Sequence, residues 1–244
     1  MILLGIDVET TGLDPSTDRI TELGMVLYDT DANQPLKIYC EYVNIDGPVP
    51  EFITELTGIT KTHLDIYGVS ISEAMQAYVK MLGIADHQVA HNAPFDRSMI
   101  DAEIARLSMA GLPPETPWID TSVDVPYPKG IQTRKLQYLC PEHGFINPWS
   151  HRALFDVLSM LKVLSQYDIK EVVRIAGEPN ITVMAICQKP WEDKAPDGQK
   201  DTDLAKGRGY RFNGESKQWQ KTLKQSQLSE ELNNGQLKVQ VLEG

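Results

Sequence analysis

Four carboxylates and one histidine stand in three separated segments of this 244-residue chain: Asp7 and Glu9 in IDVETTG, Asp96 in HNAPFD, and His151 with Asp156 in HRALFD. Asp7 and Glu9 are two apart in an apolar run that reads as a strand. A period of two puts both side chains on one face, with Ile6 and Val8 pointing the other way into core. Two carboxylates on one face repel each other unless a cation sits between them, and hard oxygen ligands suit Mg²⁺ or Mn²⁺. A solvated strand edge would hold the same pair without any ion. Asp96 falls in the first turn of an expected helix, where a carboxylate suits the helix dipole whatever else it does. His151 and Asp156 are five apart, so on one helix they would not share a face. They can serve one site only if His151 lies in the loop or first turn and swings in, while Asp156 is fixed on the helix. Pro148 and Ser150 mark a helix start there. A mobile histidine, with an unperturbed pKa of about 6.5, suits a general base. The bland alternative is a first-turn histidine packed on a neighbour.

The elements that must position these residues follow from periodicity and punctuation. Residues 2–8, 20–29 and 36–43 read as three strands in an antiparallel meander, the last two separated by DTDANQP. Pro50 suits a first helical position and Gly58 a helix stop. Ser70 and Glu73 form a capping box that opens a helix to about Leu82. A strand at 87–91 leads through Pro94 into a helix ending near Met109. A short strand at 117–121 and helices near 134–140, 151–167 and 169–176 follow. His91 and Asn92 end a strand beside a helix start, which is where α/β sheets place ligands. The expected fold class is α/β, a mixed sheet with helices packed on it, filling a domain over residues 1–178.

Residues 179–244 have a different texture and read as a small α+β accessory domain. KPWEDKAPDGQKD is a polar loop or linker. Beyond it come a short helix near 202–207, a hairpin of 209–213 with 217–222, a helix near 226–234 and a strand at 236–241. A strand at 181–188 is assigned to the same unit. If the hairpin turns at Asn213–Ser216, Tyr210 stands opposite Trp219 and Phe212 opposite Lys217. Arg208, Tyr210, Phe212, Lys217, Trp219 and Lys221 would then share one face. Aromatics interleaved with cations suit a single-strand groove, in which bases stack and phosphates pair; Arg208, Arg211, Lys217, Trp219 and Lys221 are the candidate contacts. Alternatively the aromatics are this small unit's core.

Charge supports that division. The chain carries a formal net charge of −11. Residues 1–188 hold 13 basic and 25 acidic residues, while 206–224 hold six basic residues and one acid. The acidic surplus lies where metal would bind, and the basic stretch lies near the C-terminus. The three cysteines are far apart and odd in number, which fits a reducing compartment. Cys140 and His143 have a zinc-like spacing, but no second pair accompanies them. They read instead as a buried thiol beside a helix-end histidine. No run of about 18 apolar residues suggests a membrane span. MILLGIDVET has no export signal, so the expected location is the cytoplasm of a bacterial cell or phage-infected host.

The conjunction of the three segments resembles the DEDDh exonucleases, the family of the proofreading epsilon subunit of bacterial DNA polymerase III and of RNase T. Asp7–Gly12 is similar to its first motif, His91–Asp96 to its second and His151–Asp156 to its third. The likeness extends from residue 2 to about 170, including TGIT at 57–60 and KLQYL at 135–139. It departs at Thr57, where many relatives have histidine. The resemblance implies a ribonuclease H-like fold and two Mg²⁺ ions, with Mn²⁺ able to substitute. Asp7, Glu9 and Asp156 would hold the first ion; Asp7 would bridge to the second, which Asp96 reaches through water. Ions about 3.5–4 Å apart clamp the attacking and leaving oxygens of an in-line displacement. His151 would take the proton of the attacking water, and 5′-mononucleotides would leave a 3′ end. Thr10, Thr11, Gly12 and Leu13 would line the terminal nucleotide's pocket, with His91, Asn92 and Phe95 completing it. DNA, single-stranded by preference, is the leading substrate and RNA trimming the second reading. A third is a polymerase- or replisome-bound subunit whose main work is interaction. The C-terminal segment DLAKGRGYRFNGESKQWQKTL resembles a small module appended to phage and plasmid proteins.

Overall fold

A computed structural model describes residues 1–128, 130–131, 133–187, 200–235 and 237–242. It begins with the expected meander: β1 (Ile2–Thr10), β2 (Ile20–Asp29) and β3 (Gln34–Tyr42), with β2 between the other two. Three helices follow: α1 (Glu51–Thr57), α2 (Lys61–Tyr67) and α3 (Ile71–Leu82). Gly58 ends α1 at φ +73, and Ser70 with Glu73 forms the reciprocal capping box of α3. Sequence periodicity did not separate α2. Its box uses His63 at N3 in place of the usual acid or amide: the Thr60 side chain accepts from the His63 N–H, and the Thr60 N–H donates to the His63 ring.

Next come β4 (His87–Ala90), α4 (Ala93–Arg106), β5 (Trp118–Asp120), α5 (Leu136–Glu142), α6 (Ala153–Leu164) and α7 (Ile169–Ala176). β4 and β5 add parallel strands, so the five-stranded sheet has the order β3-β2-β1-β4-β5. This is the α/β mixed sheet expected from sequence. β1 is central and buried on both faces. Its even positions Leu4, Ile6 and Val8 pack in a cluster with α3 and α4, whereas Leu3 joins a second cluster with α6 and α7.

A separate four-stranded sheet follows, built from β6 (Asn180–Ala185), α8 (Asp201–Gly207), β7 (Arg211–Asn213), β8 (Gln218–Lys224), α9 (Gln225–Leu232) and β9 (Val239–Val241). Its order is β7-β8-β6-β9. Val183, Ala185, Ala205, Tyr210, Leu223 and Leu237 form its own core. The strand assigned to this unit from sequence, β6, lies inside the sheet between β8 and β9. Most of the polar linker, 189–199, lies outside the described residues.

The hairpin register differs from expectation. Phe212 pairs with Trp219 and Asn213 with Gln218, so the turn is 214–217 and not Asn213–Ser216. Lys217 takes the left-handed conformation at φ +55, where glycine would be the residue of choice. Tyr210 thereby faces Lys221 and not Trp219, and its ring is buried in the core with Lys221 Nζ 5.7 Å from its centre. Among the described residues no helix is long and apolar enough to cross a membrane.

Candidate active site

The site is made where α6 lies on β1 and β2, and two glycines allow that approach. A Cβ on Gly5 would stand 2.9 Å from Val157 Cγ1. A Cβ on Gly24, the cross-strand partner of Asp7, would stand 2.6 Å from the Ala153 carbonyl carbon. Either contact is too close for a real side chain, so bare backbone at these positions lets the helix settle onto the strands. One and two alternations beyond Gly5 on the same face of β1 come Asp7 and Glu9. The first turn of α6 brings Asp156 to them.

Asp96 arrives from the other side. The β1–β4 pairing runs only as far as Gly5 with Val89, and β4 ends at Ala90. Val8 is therefore beyond the ladder, and its N–H donates to Asp96 Oδ1 at 3.1 Å. Asp96 itself is buried in the first turn of α4. The residue before that helix, Asn92, has φ +79, a left-handed conformation that asparagine tolerates. Its N–H donates to Asp120 Oδ1 at 3.0 Å.

His151 sits two residues ahead of α6, exposed and at φ +63. Its backbone N–H donates to Asp156 Oδ2 at 2.9 Å, while Asn147 Nδ2 donates to Asp156 Oδ1 at 2.6 Å. One ligand atom each from Glu9, His151 and Asp156 lie within 4.8 Å of one another. The histidine thus stands off the face of Asp156's helix, in the turn before it.

Electrostatics mark this cluster as unbalanced. Burial, then Asp96, Glu9, Asp156 and Glu22, push the Asp7 carboxyl well above the usual carboxylate range. Burial, then Asp156, Glu22 and Asp96, push Glu9 up to about 8 against the opposing pull of Arg152. Burial pushes Asp96 up to about 8, although the Val8 N–H favours its charged form. Asp156 is raised, by burial first, against the hydrogen bonds from His151 and Asn147. Acids crowded this way strain against ionisation unless positive charge joins them. The donors are hard oxygens plus one imidazole, and they come from one strand, the first turns of two helices and the turn before α6. Divalent ions such as Mg²⁺ or Mn²⁺ fit that donor set and would relieve the repulsion.

Two residues missed from sequence complete the frame. Glu22, the cross-strand partner of Glu9, is buried. It accepts from Arg152 Nη2 at 2.8 Å, from Arg152 Nε at 3.2 Å and from the Ala153 N–H at 2.9 Å. Glu22 therefore caps α6 and fixes the residue next to His151. Its signal was a lone acid inside the apolar run of β2. Asn147 gave no comparable sign.

The expected pocket residues are distributed unevenly. Thr10 is buried and its hydroxyl donates to the Gly12 carbonyl at 2.6 Å. The Thr11 hydroxyl donates to Asp18 Oδ1 at 2.8 Å, and a Cβ on Gly12 would strike the same carboxylate at 2.5 Å. Leu13 is 82 % exposed at the turn. Asn92 is exposed, and Phe95 packs partly against the α3–α4 core. His91 is already engaged: Nδ1 lies 2.9 Å from Thr121 Oγ1 and Nε2 lies 2.7 Å from the Arg134 carbonyl. It ties Thr121 and Arg134 to the end of β4 and has no ring nitrogen left for a ligand. Thr57, at the departure from the family pattern, is buried and bonds within α1.

Among the accessory candidates, Arg208 and Lys221 both pair with the buried Glu231, at 3.1 and 2.8 Å. They do not stand with Lys217 on an open face. Arg211 and Lys217 are exposed. Trp219 lies against Phe212, centroids 5.6 Å apart, with Lys206 Nζ 5.6 Å from its ring centre. Cys140 is buried, and the His143 ring bonds to the Leu139 carbonyl and the Tyr167 hydroxyl, each at 2.6 Å. That is the buried thiol and helix-end histidine expected in place of a zinc site.

A five-stranded mixed sheet, with an acidic cluster where α6 meets the central strand, defines the class of ribonuclease H-like nucleases. Residues 4–164 match the RNase T exonuclease family, and the chain belongs to the DEDDh 3′–5′ exonucleases. It is 28% identical over 181 residues to the PolC-type DNA polymerase III of Mycoplasma pneumoniae, covering 72% of this chain and 12% of that protein. It is 32% identical over 167 residues to the corresponding Thermotoga petrophila polymerase, covering 66% and 11%. The chain thus spans about a tenth of these relatives' length. In fold it is similar to E. coli ExoI, in a zinc-bound complex with single-stranded DNA, at a TM-score of 0.63 and 15% identity, covering 75% of this chain and 47% of that one. It is also similar to a 3′-exonuclease that recognises the histone mRNA stem-loop, at a TM-score of 0.57 and 18% identity, covering 68% and 80%. DEDDh exonucleases generally use divalent metal ions, which the acidic cluster described above fits.

Proposed function

We propose that this chain hydrolyses DNA from its 3′ end, single strands by preference, releasing 5′-mononucleotides. The observation that carries the reading is the cluster of like charge made by Asp7, Glu9, Asp96 and Asp156, two of them buried and two half-buried, with His151 exposed at its edge. Asp7, Glu9 and Asp156 would hold one divalent ion, and Asp7 with Asp96 a second. Such ions, when bound, supply the positive charge that favours a hydroxide nucleophile and a departing alkoxide. His151 takes the proton of the attacking water on its imidazole, which its exposed turn leaves free to approach. Asp156 orients that turn by accepting the His151 N–H. Exposed Leu13 wedges against the terminal base, with the Thr10–Gly12 turn beside it around the terminal sugar. Residues 1–178 act as the exonuclease domain. Residues 179–244 act as an accessory domain, with Arg211, Lys217 and Trp219 contacting the strand and Arg208 and Lys221 set back in ion pairs. The polymerase relatives support a replisome context.

The test compares 3′-labelled single-stranded DNA, duplex DNA and RNA with Mg²⁺, Mn²⁺ and a chelator. The expected result is mononucleotide release from single-stranded DNA, abolished by chelation and in Asp7→Ala. Faster trimming of RNA would replace the DNA assignment with the RNA one. Full activity in Asp7→Ala or in chelator would sink the site assignment.

A further inference from the structure

The second sheet sends one cation deep into the first unit. Lys224, at the end of β8, is buried, and its Nζ lies 3.1 Å from Oδ1 of Asp124, also buried. The same ammonium donates to the Ala176 carbonyl at 3.0 Å. Asp124 Oδ2 in turn accepts the Asp120 N–H at 2.7 Å. Asp120 closes β5, and its Oδ1 accepts the Asn92 N–H at 3.0 Å. Asn92 is the left-handed residue that launches α4, and Asp96 lies in the first turn of that helix. An unbroken run of hydrogen bonds and one ion pair therefore joins the accessory sheet to the backbone that aims Asp96. Gln227 of α9 adds a hydrogen bond to the Val123 carbonyl at 3.3 Å, beside the same loop.

We infer that Lys224 is a positioning residue of the nuclease site, so that the accessory sheet is a part of the active-site scaffold as well as a surface for nucleic acid. The reasoning is chemical. A buried carboxylate needs a partner, and without Lys224 the Asp124 charge is left alone in low dielectric. It would turn toward water and release the Asp120 N–H. Asp120 then holds Asn92 less well, and the residue that launches α4 at φ +79 loses the hydrogen bond that fixes its N–H. Asp96 would lose its fixed aim while Asp7, Glu9 and Asp156 stayed where they are. The inference rests on the exonuclease reading above.

The experiment measures kcat and KM on 3′-labelled single-stranded DNA with Mn²⁺ at pH 8. It compares the full chain with Lys224→Met, Lys224→Met/Asp124→Asn and Asp7→Ala, with folding checked by circular dichroism. Lys224→Met is expected to lose tenfold or more in kcat, with KM within threefold of the parent. Adding Asp124→Asn removes the lone charge but keeps an acceptor for the Asp120 N–H. The double variant is expected to return to within threefold of the parent kcat. A Lys that merely fastens the two sheets together would gain nothing from that second change. Unchanged kcat in a folded Lys224→Met protein overturns the inference, as does a double variant as slow as the single one. If Lys224→Met does not fold, the double variant decides: folded and near parent rate supports the positioning role, while slow or unfolded overturns it. An active Asp7→Ala protein would instead remove the site assignment on which the inference rests, a failure distinct from either.

Discussion

Two buried glutamates, Glu9 in β1 and Glu231 in α9, have opposite surroundings. Glu9 lies among Asp7, Asp96, Asp156 and Glu22, and the nearby Arg152 is committed to Glu22; the Glu9 carboxyl is pushed up to about 8. Glu231 in the accessory unit accepts from Arg208, Lys221 and the Tyr210 hydroxyl, and these partners outweigh burial to hold its carboxyl below the usual range. The first arrangement opposes folding and the second supports it. Buried acids with matched partners build structure; buried acids that face one another need something from outside the chain.

The sharpest way to break this comparison is to remove one acid from each cluster. Asp7→Ala or Asp156→Ala should lower the rate of 3′-end hydrolysis by about a thousandfold or more, since each removes a ligand that no neighbour replaces. Thermal stability without metal should hold or rise at pH 8, because repulsion is relieved. A large drop in melting temperature would mean that the cluster is structural. His151→Ala comes next. Its rate should fall by about a hundredfold, within the range for a lost general base, with partial recovery at higher pH. Stability should be unaffected, because the side chain is exposed. Glu231→Ala should do the reverse of both, leaving the rate on short substrates close to the parent's. It should destabilise the accessory sheet by about 1–3 kcal/mol, less than for a fully buried pair because Arg208 and Lys221 are partly exposed. Chemical denaturation followed at Trp219 would read this. The smallest effect is expected from Arg211→Ala with Lys217→Ala. The pair should weaken single-strand binding and reduce its salt slope by about one unit per lost phosphate contact. Arg208→Ala should change that slope less, because its charge is already matched.

Much of this contrast was legible in the sequence, and the parts that were not have physical reasons. The alternation of β1, the Ser70–Glu73 box and the helix start at Pro94 are local signals, and each placed a segment correctly. The requirement that His151 stand off the face of Asp156's helix followed from helical geometry alone. Longer-range facts escaped. Gly5 and Gly24 look like ordinary strand glycines until α6 lies on them. Glu22 and Arg152 are 130 residues apart and meet because β2 and α6 pack together. The hairpin slipped because Lys217, not a glycine, took the left-handed turn position. That slip left Arg208 and Lys221 to Glu231, while Tyr210 took the core place that the sequence reading also offered it. In each case the missing information was which distant element would arrive.

Thermal denaturation of the metal-free protein across pH tests the central claim most directly. Glu9 and Asp96 have folded pKa values near 8, above their ordinary 4.5 and 3.8. A raised carboxyl favours the fold while protonated, so this stabilisation is complete below about pH 4 and is lost as pH rises through about 8. In chelator the melting temperature should therefore fall between pH 5 and pH 8, net of other titrations. Adding Mn²⁺ or Mg²⁺ at pH 8 should raise it by about 5 °C or more, a response of the size expected from a ligand far above its Kd. In Asp7→Ala most of that metal response should vanish. A melting temperature at pH 8 that neither ion raises, or that rises equally in Asp7→Ala, would contradict the assignment of these acids as a divalent-metal centre.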